Sequence, residues 1–429
     1  MPDSRWMRRC GRGNRDEELL GVSDLVISDV RPWGGDPVDV RVSGRLIAAL
    51  EPHDPTAGRA AGAEEDIVAH VNGAGRLLLP SFTDTHVHLD STRVGLPFEP
   101  NEVERRSLWS FIRNDRDNWR SAGASVTDRA THTLGRAIAH GMTRARSYAQ
   151  IDADCGLERL EGVLAAREAH SDRADVEVVA FPQAGLLVEP GVPAFIEEGL
   201  RSGVDLVGGI DPCALDKDPR RHLDIVFELA DRYGVGVDIH LHEPAELGLF
   251  SAQQIIERVR ALDMRGRVTI AHAFFLSGIS EGQRAHVLSE LVELDIAVTT
   301  VAPSGRGTLP LLEILDAGVR IGLGQDGQRD YWSPYGNTDM LDRTWQLAFT
   351  NGLRRDSDIE RALETATLGG ARVIDPSLSR TSSRGVGVGD AADLVLVPGE
   401  YPASAVMDRP GDRTVIHAGR IVSEAGELL

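Results

Sequence analysis

The chain has 429 residues, 41% of them hydrophobic and 26% charged, enough for one large soluble domain and a smaller one. Its net charge of −20 argues against nucleic acid or an anionic membrane as partner. No apolar stretch approaches the roughly 20 residues of a transmembrane helix. In chain order, residues 1–22 carry several arginines and no apolar core, which predicts a disordered tail and not a signal peptide. Residues 23–80 are short alternating runs such as Leu25–Ser28, Val38–Val42 and Arg45–Leu50, broken by Gly, Pro and Asp. They read as a small antiparallel β unit.

Residues 77–82 are apolar and run directly into Asp84, Thr85, His86, Val87, His88, Leu89 and Asp90. In a strand, residues i and i+2 share a face, so His86 and His88 point together, about 6–7 Å apart along the backbone. A divalent metal gives an apolar strand a reason to end in two imidazoles.

From residue 142 a unit repeats: a β-branched apolar run, a polar loop, then an amphipathic segment. The runs are Met142–Tyr148, Val176–Pro182, Val204–Ile210, Val235–Leu241, Val268–Ala273, Ile296–Val301 and Val319–Leu323. With the run ending at His86 they make eight. Continuous apolar runs are what parallel strands buried on both faces require. One predicted helix starts at Ser251, and Ser280 and Ser357 open segments of capping-box form. Gly141, Gly203, Gly234 and Gly318 fall where helices should end. The expected fold is α/β: a (β/α)8 TIM barrel over residues 81–375. Residues 376–429 return to the texture of 23–80, and pairing the two ends into one small β-sandwich would bury both. No Gly-x-Gly-x-x-Gly follows a strand, so a dinucleotide fold has no support.

Active groups of such a barrel belong at the C-terminal ends of its strands. There the first strand offers His86 and His88, the third Gln183, the fifth His240, His242 and Glu243, the sixth His272 and the eighth Asp326. Five of the 13 histidines fall at three strand ends. Three imidazoles and a carboxylate with an open position for water is the economical reading. The single lysine, Lys217, lies in a polar loop and reads as solvated surface. Three scattered cysteines, Cys10, Cys155 and Cys213, suggest a reducing, cytoplasmic setting without disulfides.

These strand ends, with the segment Asp330–Gly336 after the eighth, resemble the amidohydrolase superfamily, and within it the cytosine deaminase branch. The resemblance covers roughly residues 23–425. It implies that His86, His88, His240 and Asp326 hold one divalent ion, zinc or iron. It implies that His272 contacts a metal-bound hydroxide and that Glu243 carries protons between it and the substrate. Gln183 would bond the substrate edge and Trp332 would wall the pocket. Two positions depart from that branch. Gly327 stands where a second Asp touches the substrate, and Ser147, Tyr148, Ala149 and Gln150 replace Thr-His-Val-Asp. Cytosine is therefore not the expected substrate.

The expected activity is hydrolytic deamination of a small amino-substituted nitrogen heterocycle. The alternatives are hydrolysis of a cyclic amide or an N-alkylamino heterocycle at the same site. A more distant one is a metal-containing binding protein without turnover. The expected partner is a small-molecule substrate, and a homo-oligomer is compatible with the sequence.

Overall fold

A computed structural model describes residues 25–55, 69–101, 103, 107–378 and 383–429. The predicted tail, 1–22, lies outside the described residues. The chain divides into two compact units, one built mainly from the two chain ends and one from the middle.

The first unit is an eight-stranded sheet. Its N-terminal strands are β1 (Leu25–Pro32), β2 (Val38–Ser43), β3 (Leu46–Pro52) and β4 (Ala69–Pro80). The second unit carries β5 (Phe82–Val87), β6 (Met142–Gln150), β7 (Asp175–Phe181) and β8 (Leu206–Ile210). It continues with β9 (Gly236–His240), β10 (Val268–Ala271), β11 (Ala297–Thr300) and β12 (Ile321–Leu323). The chain then returns to the first sheet with β13 (Leu394–Val397), β14 (Thr414–His417), β15 (Arg420–Glu424) and β16 (Glu427–Leu428).

The end sheet runs β16-β15-β14-β13-β4-β1-β2-β3. The join between the two chain ends is the antiparallel pair β4–β13, with Leu79 opposite Val395. A bridge from Leu46 to Ala391, flanked by Ile47 N–H to the Asp390 carbonyl, brings the far strand back toward β13. Val40, Ile47, Leu78, Leu394 and Ile416, from five strands, share one buried core. One pair departs from the antiparallel expectation. After the β2–β3 hairpin, β4 enters on the other side of β1 and runs parallel to it. The predicted apolar run 77–82 also divides: Leu77–Pro80 belongs to the end sheet and Phe82 starts the barrel.

The middle unit is the predicted barrel. Its strands lie in the order β5 to β12, with parallel pairing from β6 onward and helices between them. Closure comes from a parallel bridge between Val87 and Asp326. Asp326 N–H donates to the His86 carbonyl at 2.7 Å. Glycine makes this closure possible, because a Cβ at Gly324 would sit 2.4 Å from the His86 Cβ. Gly234 and Gly318 end helices in the left-handed conformation, as predicted. Ser280 forms the expected capping box. Two helix starts differ. The helix expected from Ser251 begins at Ala245, because Pro244 supplies the extended entry residue. Ser357 lies inside a helix that begins at Asp356. Among the described residues, no helix is long and apolar enough to cross a membrane.

Candidate metal centre

The barrel strands end in a cluster of ring nitrogens. His86 is the penultimate residue of β5 and His88 follows the strand, with ring centroids 5.4 Å apart. His240 closes β9, and its Nε2 lies 3.3 Å from His88 Nε2. His272 follows β10, its ring 4.6 Å from that of His86 and 5.0 Å from that of His240. Asp326 arrives from beyond β12, with Oδ1 3.7 Å from His86 Nε2 and 3.5 Å from His88 Nε2. Two overlapping trios could hold an ion: His86, His240 and His272, and His86, His88 and Asp326.

The donor set fits a divalent cation. Both nitrogens of His86 and of His272, and Nδ1 of His240, are buried without a hydrogen-bond partner among the described residues. Orphaned polar atoms of this kind are unfavourable unless something else engages them. Burial pushes His86, His240 and His272 well below the usual histidine range, and charge on neighbouring histidines adds to this. Neutral imidazole is the form that binds a metal.

The backbone is strained where it delivers these groups. His272 has φ 64°, Asp326 φ 63° and Asp211 φ 35°, all left-handed and none glycine. Such residues persist only where surrounding structure enforces them, and they gather at functional sites. For Asp326 the enforcement is visible. The buried Asp84 carboxylate accepts from the Gln325 and His86 N–H groups. Arg343 donates to the Gln325 carbonyl at 2.6 Å. Burial raises Asp84 to about 7 despite these bonds.

The remaining predicted residues lie around this cluster. Gln183 is buried just beyond β7, and its side-chain amide makes no hydrogen bond among the described residues. Trp332 stacks on Phe111 at 5.4 Å and packs against the apolar group that contains Tyr148 and Phe181. Glu243 is engaged on both oxygens. Oε1 accepts from the Cys213 and Ala214 N–H groups at 2.8 and 2.7 Å, and Oε2 from the Ser251 hydroxyl. Burial raises its carboxyl above the usual range in spite of these donors. Lys217 is exposed in the loop beyond β8.

Three features escaped the sequence reading. Asp211, one residue past β8, accepts from His242 Nδ1 at 2.8 Å and from the His242 N–H at 2.7 Å. Burial alone would lower His242, but the Asp211 charge and hydrogen bond outweigh it and hold the ring above its usual range. An acidic residue directly after a strand was the available signal. The space beside Gly327 is taken by the Asp330 carboxylate, whose Oδ2 lies 2.1 Å from where a Cβ on residue 327 would stand. That buried carboxylate accepts from the Trp332 and Ser333 N–H groups and is raised to about 7 by burial. Tyr148, in the segment that replaces Thr-His-Val-Asp, is fully buried among the histidines.

A closed parallel barrel that gathers imidazoles and a carboxylate at its strand ends is the framework of a metal-dependent hydrolase of carbon–nitrogen bonds. The chain matches the amidohydrolase family over residues 104–423, and it belongs to that family. N-isopropylammelide isopropyl amidohydrolase of Pseudomonas sp. (strain ADP) is 28% identical over 409 residues, 93% of this chain and 97% of that protein. The solved structure of N-isopropylammelide isopropylaminohydrolase from Burkholderia multivorans ATCC 17616 is 37% identical. It aligns with a TM-score of 0.87 over 95% of this chain and 100% of that one. At 22% identity, 5-methylcytosine deaminase from Klebsiella pneumoniae shares the fold, with a TM-score of 0.75 over 94% of this chain and 98% of that one.

Proposed function

We propose that the protein hydrolyses an exocyclic amine from a small amino- or N-alkylamino-substituted nitrogen heterocycle, with one divalent ion, zinc or iron, at the barrel mouth. The observation that carries this reading is the set of converging, hydrogen-bond-free ring nitrogens beside Asp326, in a chain of the amidohydrolase family. The named activities of two relatives favour an alkylamino substituent over a bare amino group. The substrate is a soluble small molecule, and the setting is cytoplasmic.

His86, His88, His240 and Asp326 would hold the ion. Bound there, it would lower the pKa of a water toward about 7 and so supply a nucleophile at neutral pH. His272, beside His86 and His240, would orient a water held there. Asp326 would accept its proton. The unpaired Gln183 amide offers a donor and an acceptor to the ring edge. Trp332 covers one ring face. Lys217 is exposed in the loop beyond β8 and not on the strand, which favours one ion over a lysine-bridged pair.

A specific observation favours a second reading of the proton carrier. Both Glu243 oxygens are occupied by three donors, which tie the loop after β8 to the loop after β9. His242 lies 4.2 Å from the His272 ring, has Asp211 behind Nδ1, and makes no hydrogen bond through Nε2 among the described residues. A histidine oriented by a carboxylate is well suited to take a proton and return it to a departing amine. Glu243 then shapes the loops around that exchange.

The test is product analysis on metal-loaded enzyme with a panel of amino-, isopropylamino- and oxo-triazines, pterin, cytosine and cyclic amides. Release of ammonia or alkylamine without ring opening is expected, with one ion per chain by elemental analysis. Ring opening without amine release would replace this reading with cyclic-amide hydrolysis. Absence of turnover across the panel, with metal bound, would favour a binding role.

A further inference from the structure

Metal-binding histidines are ordinarily oriented by a hydrogen bond from the second ring nitrogen to a carboxylate or carbonyl. Here His86 Nδ1 and His240 Nδ1 have no such partner among the described residues. Something else must fix those ring planes. Tyr148, fully buried on β6, touches three of the rings. Its centroid lies 4.3 Å from His86, 4.4 Å from His240 and 5.1 Å from His88, the last nearly stacked at 23°. Phe181, at the end of β7, stacks on His240 at 4.1 Å and 27°. Tyr148 and Phe181 also contact each other at 5.4 Å.

The Tyr148 hydroxyl takes no part in this contact. It is buried beside the Asp238 carboxylate. Asp238 and Arg146 lie two residues earlier on β9 and β6, one layer deeper in the barrel. They are joined at 2.9 Å, and Arg146 also reaches Thr269 and Glu177. The ring is the group in contact with the histidines, and the charged layer beneath stops it from sinking.

We infer that Tyr148 and Phe181 are positioning residues that orient His86, His88 and His240 for the ion by aromatic packing, in place of hydrogen bonds. Edge and offset contacts between rings stabilise a pair beyond the area they bury. Several acting on one ligand set reach the size of the usual hydrogen-bonded support, whose removal weakens metal affinity roughly 10–100-fold.

The inference rests on the metal reading of the preceding section, and the experiment separates the two. Metal release to a chelator and the visible spectrum of the cobalt(II)-substituted protein are measured for wild type, Tyr148→Phe, Tyr148→Leu and Phe181→Leu. Folding of each is checked by circular dichroism. Tyr148→Phe keeps the ring and should release metal within about threefold of wild type, with an unchanged cobalt spectrum. Tyr148→Leu and Phe181→Leu should release metal about 10–100-fold faster and shift the spectrum. If Tyr148→Leu does not fold, Phe181→Leu against Tyr148→Phe decides the matter. Leucine variants with the wild-type rate and spectrum would overturn ring orientation while leaving the metal site intact. Rapid loss in Tyr148→Phe would assign the effect to the hydroxyl and also overturn it. A wild-type protein that takes up no ion would overturn the metal reading, and this inference with it.

Discussion

The end sheet and the barrel mouth bury side chains by opposite rules. The sheet core is aliphatic: Ile27, Val40, Ile47, Leu78, Leu394 and Ile416 fill one cluster, and the buried His417 of the sheet lies 3.0 Å from Asp393. The mouth buries four histidines and the carboxylates of Asp84 and Asp330, and leaves ring nitrogens unpaired. It also holds His272 and Asp326 in left-handed backbone. A region built for stability satisfies its polar groups or omits them. A region built for chemistry retains unsatisfied groups, because a ligand is to satisfy them.

That contrast breaks most readily at the ligands. His240→Ala should remove metal binding and reduce turnover roughly 10⁴-fold or more, since the ion underlies the rate acceleration. Elemental analysis and steady-state kinetics check this, and full metal occupancy with normal activity would dissolve the distinction between the regions. Next in size, His242→Ala should keep the ion and lose about 10²–10⁴-fold in turnover, the usual range for a general acid–base. An effect of only a few-fold would return the proton role to Glu243.

In the sheet the opposite pattern is expected. Leu394→Ala leaves a cavity in an aliphatic core and should reduce unfolding free energy by about 2–5 kcal/mol. Turnover per folded molecule should not change. Denaturant titration beside kinetics tests this, and a selective loss of turnover would show that the sheet is not merely structural.

A smaller effect carries a sign that depends on pH. Asp330 is raised from 3.8 to about 7 by burial, so the folded state holds its proton more tightly than the unfolded state. Its contribution is fully present below pH 3.8 and is lost as pH rises toward 7. Asp330→Asn removes this dependence. The variant should gain on wild type between about pH 4 and 7, by up to about 4 kcal/mol, and hold a constant margin above that. Unfolding measured from pH 4 to 8 gives the result. A pH-independent difference would show that the carboxylate titrates normally.

The eight barrel strands were legible in the sequence because doubly buried parallel strands are continuous apolar runs, and the histidines at their ends interrupt those runs at matching places. His86, His88, His240, His272 and Asp326 could be singled out for that reason, and the structure brings them together. Asp211 was missed because it lies one residue past its strand and means nothing without His242 beyond the neighbouring strand. Ser251 looked like a helix cap, and its actual partner, Glu243, is eight residues back across a helical entry. Gly327 read as an absent carboxylate, while Asp330 reaches into the same space through a turn that no periodicity announces.

By itself the sequence determined the barrel, the end sheet and the residue types at the mouth. Alternation, apolar run length and capping act over a few neighbours, and those interactions are written in local order. Only the tertiary structure decided which carboxylate faces which histidine, and that Tyr148 lies buried against the rings of His86 and His240. Those facts depend on side chains well separated in sequence, 62 residues for Tyr148 and His86 and 31 for Asp211 and His242, meeting at a few ångströms. Contacts of that range are set by strand order and barrel closure, which a short stretch of sequence does not encode.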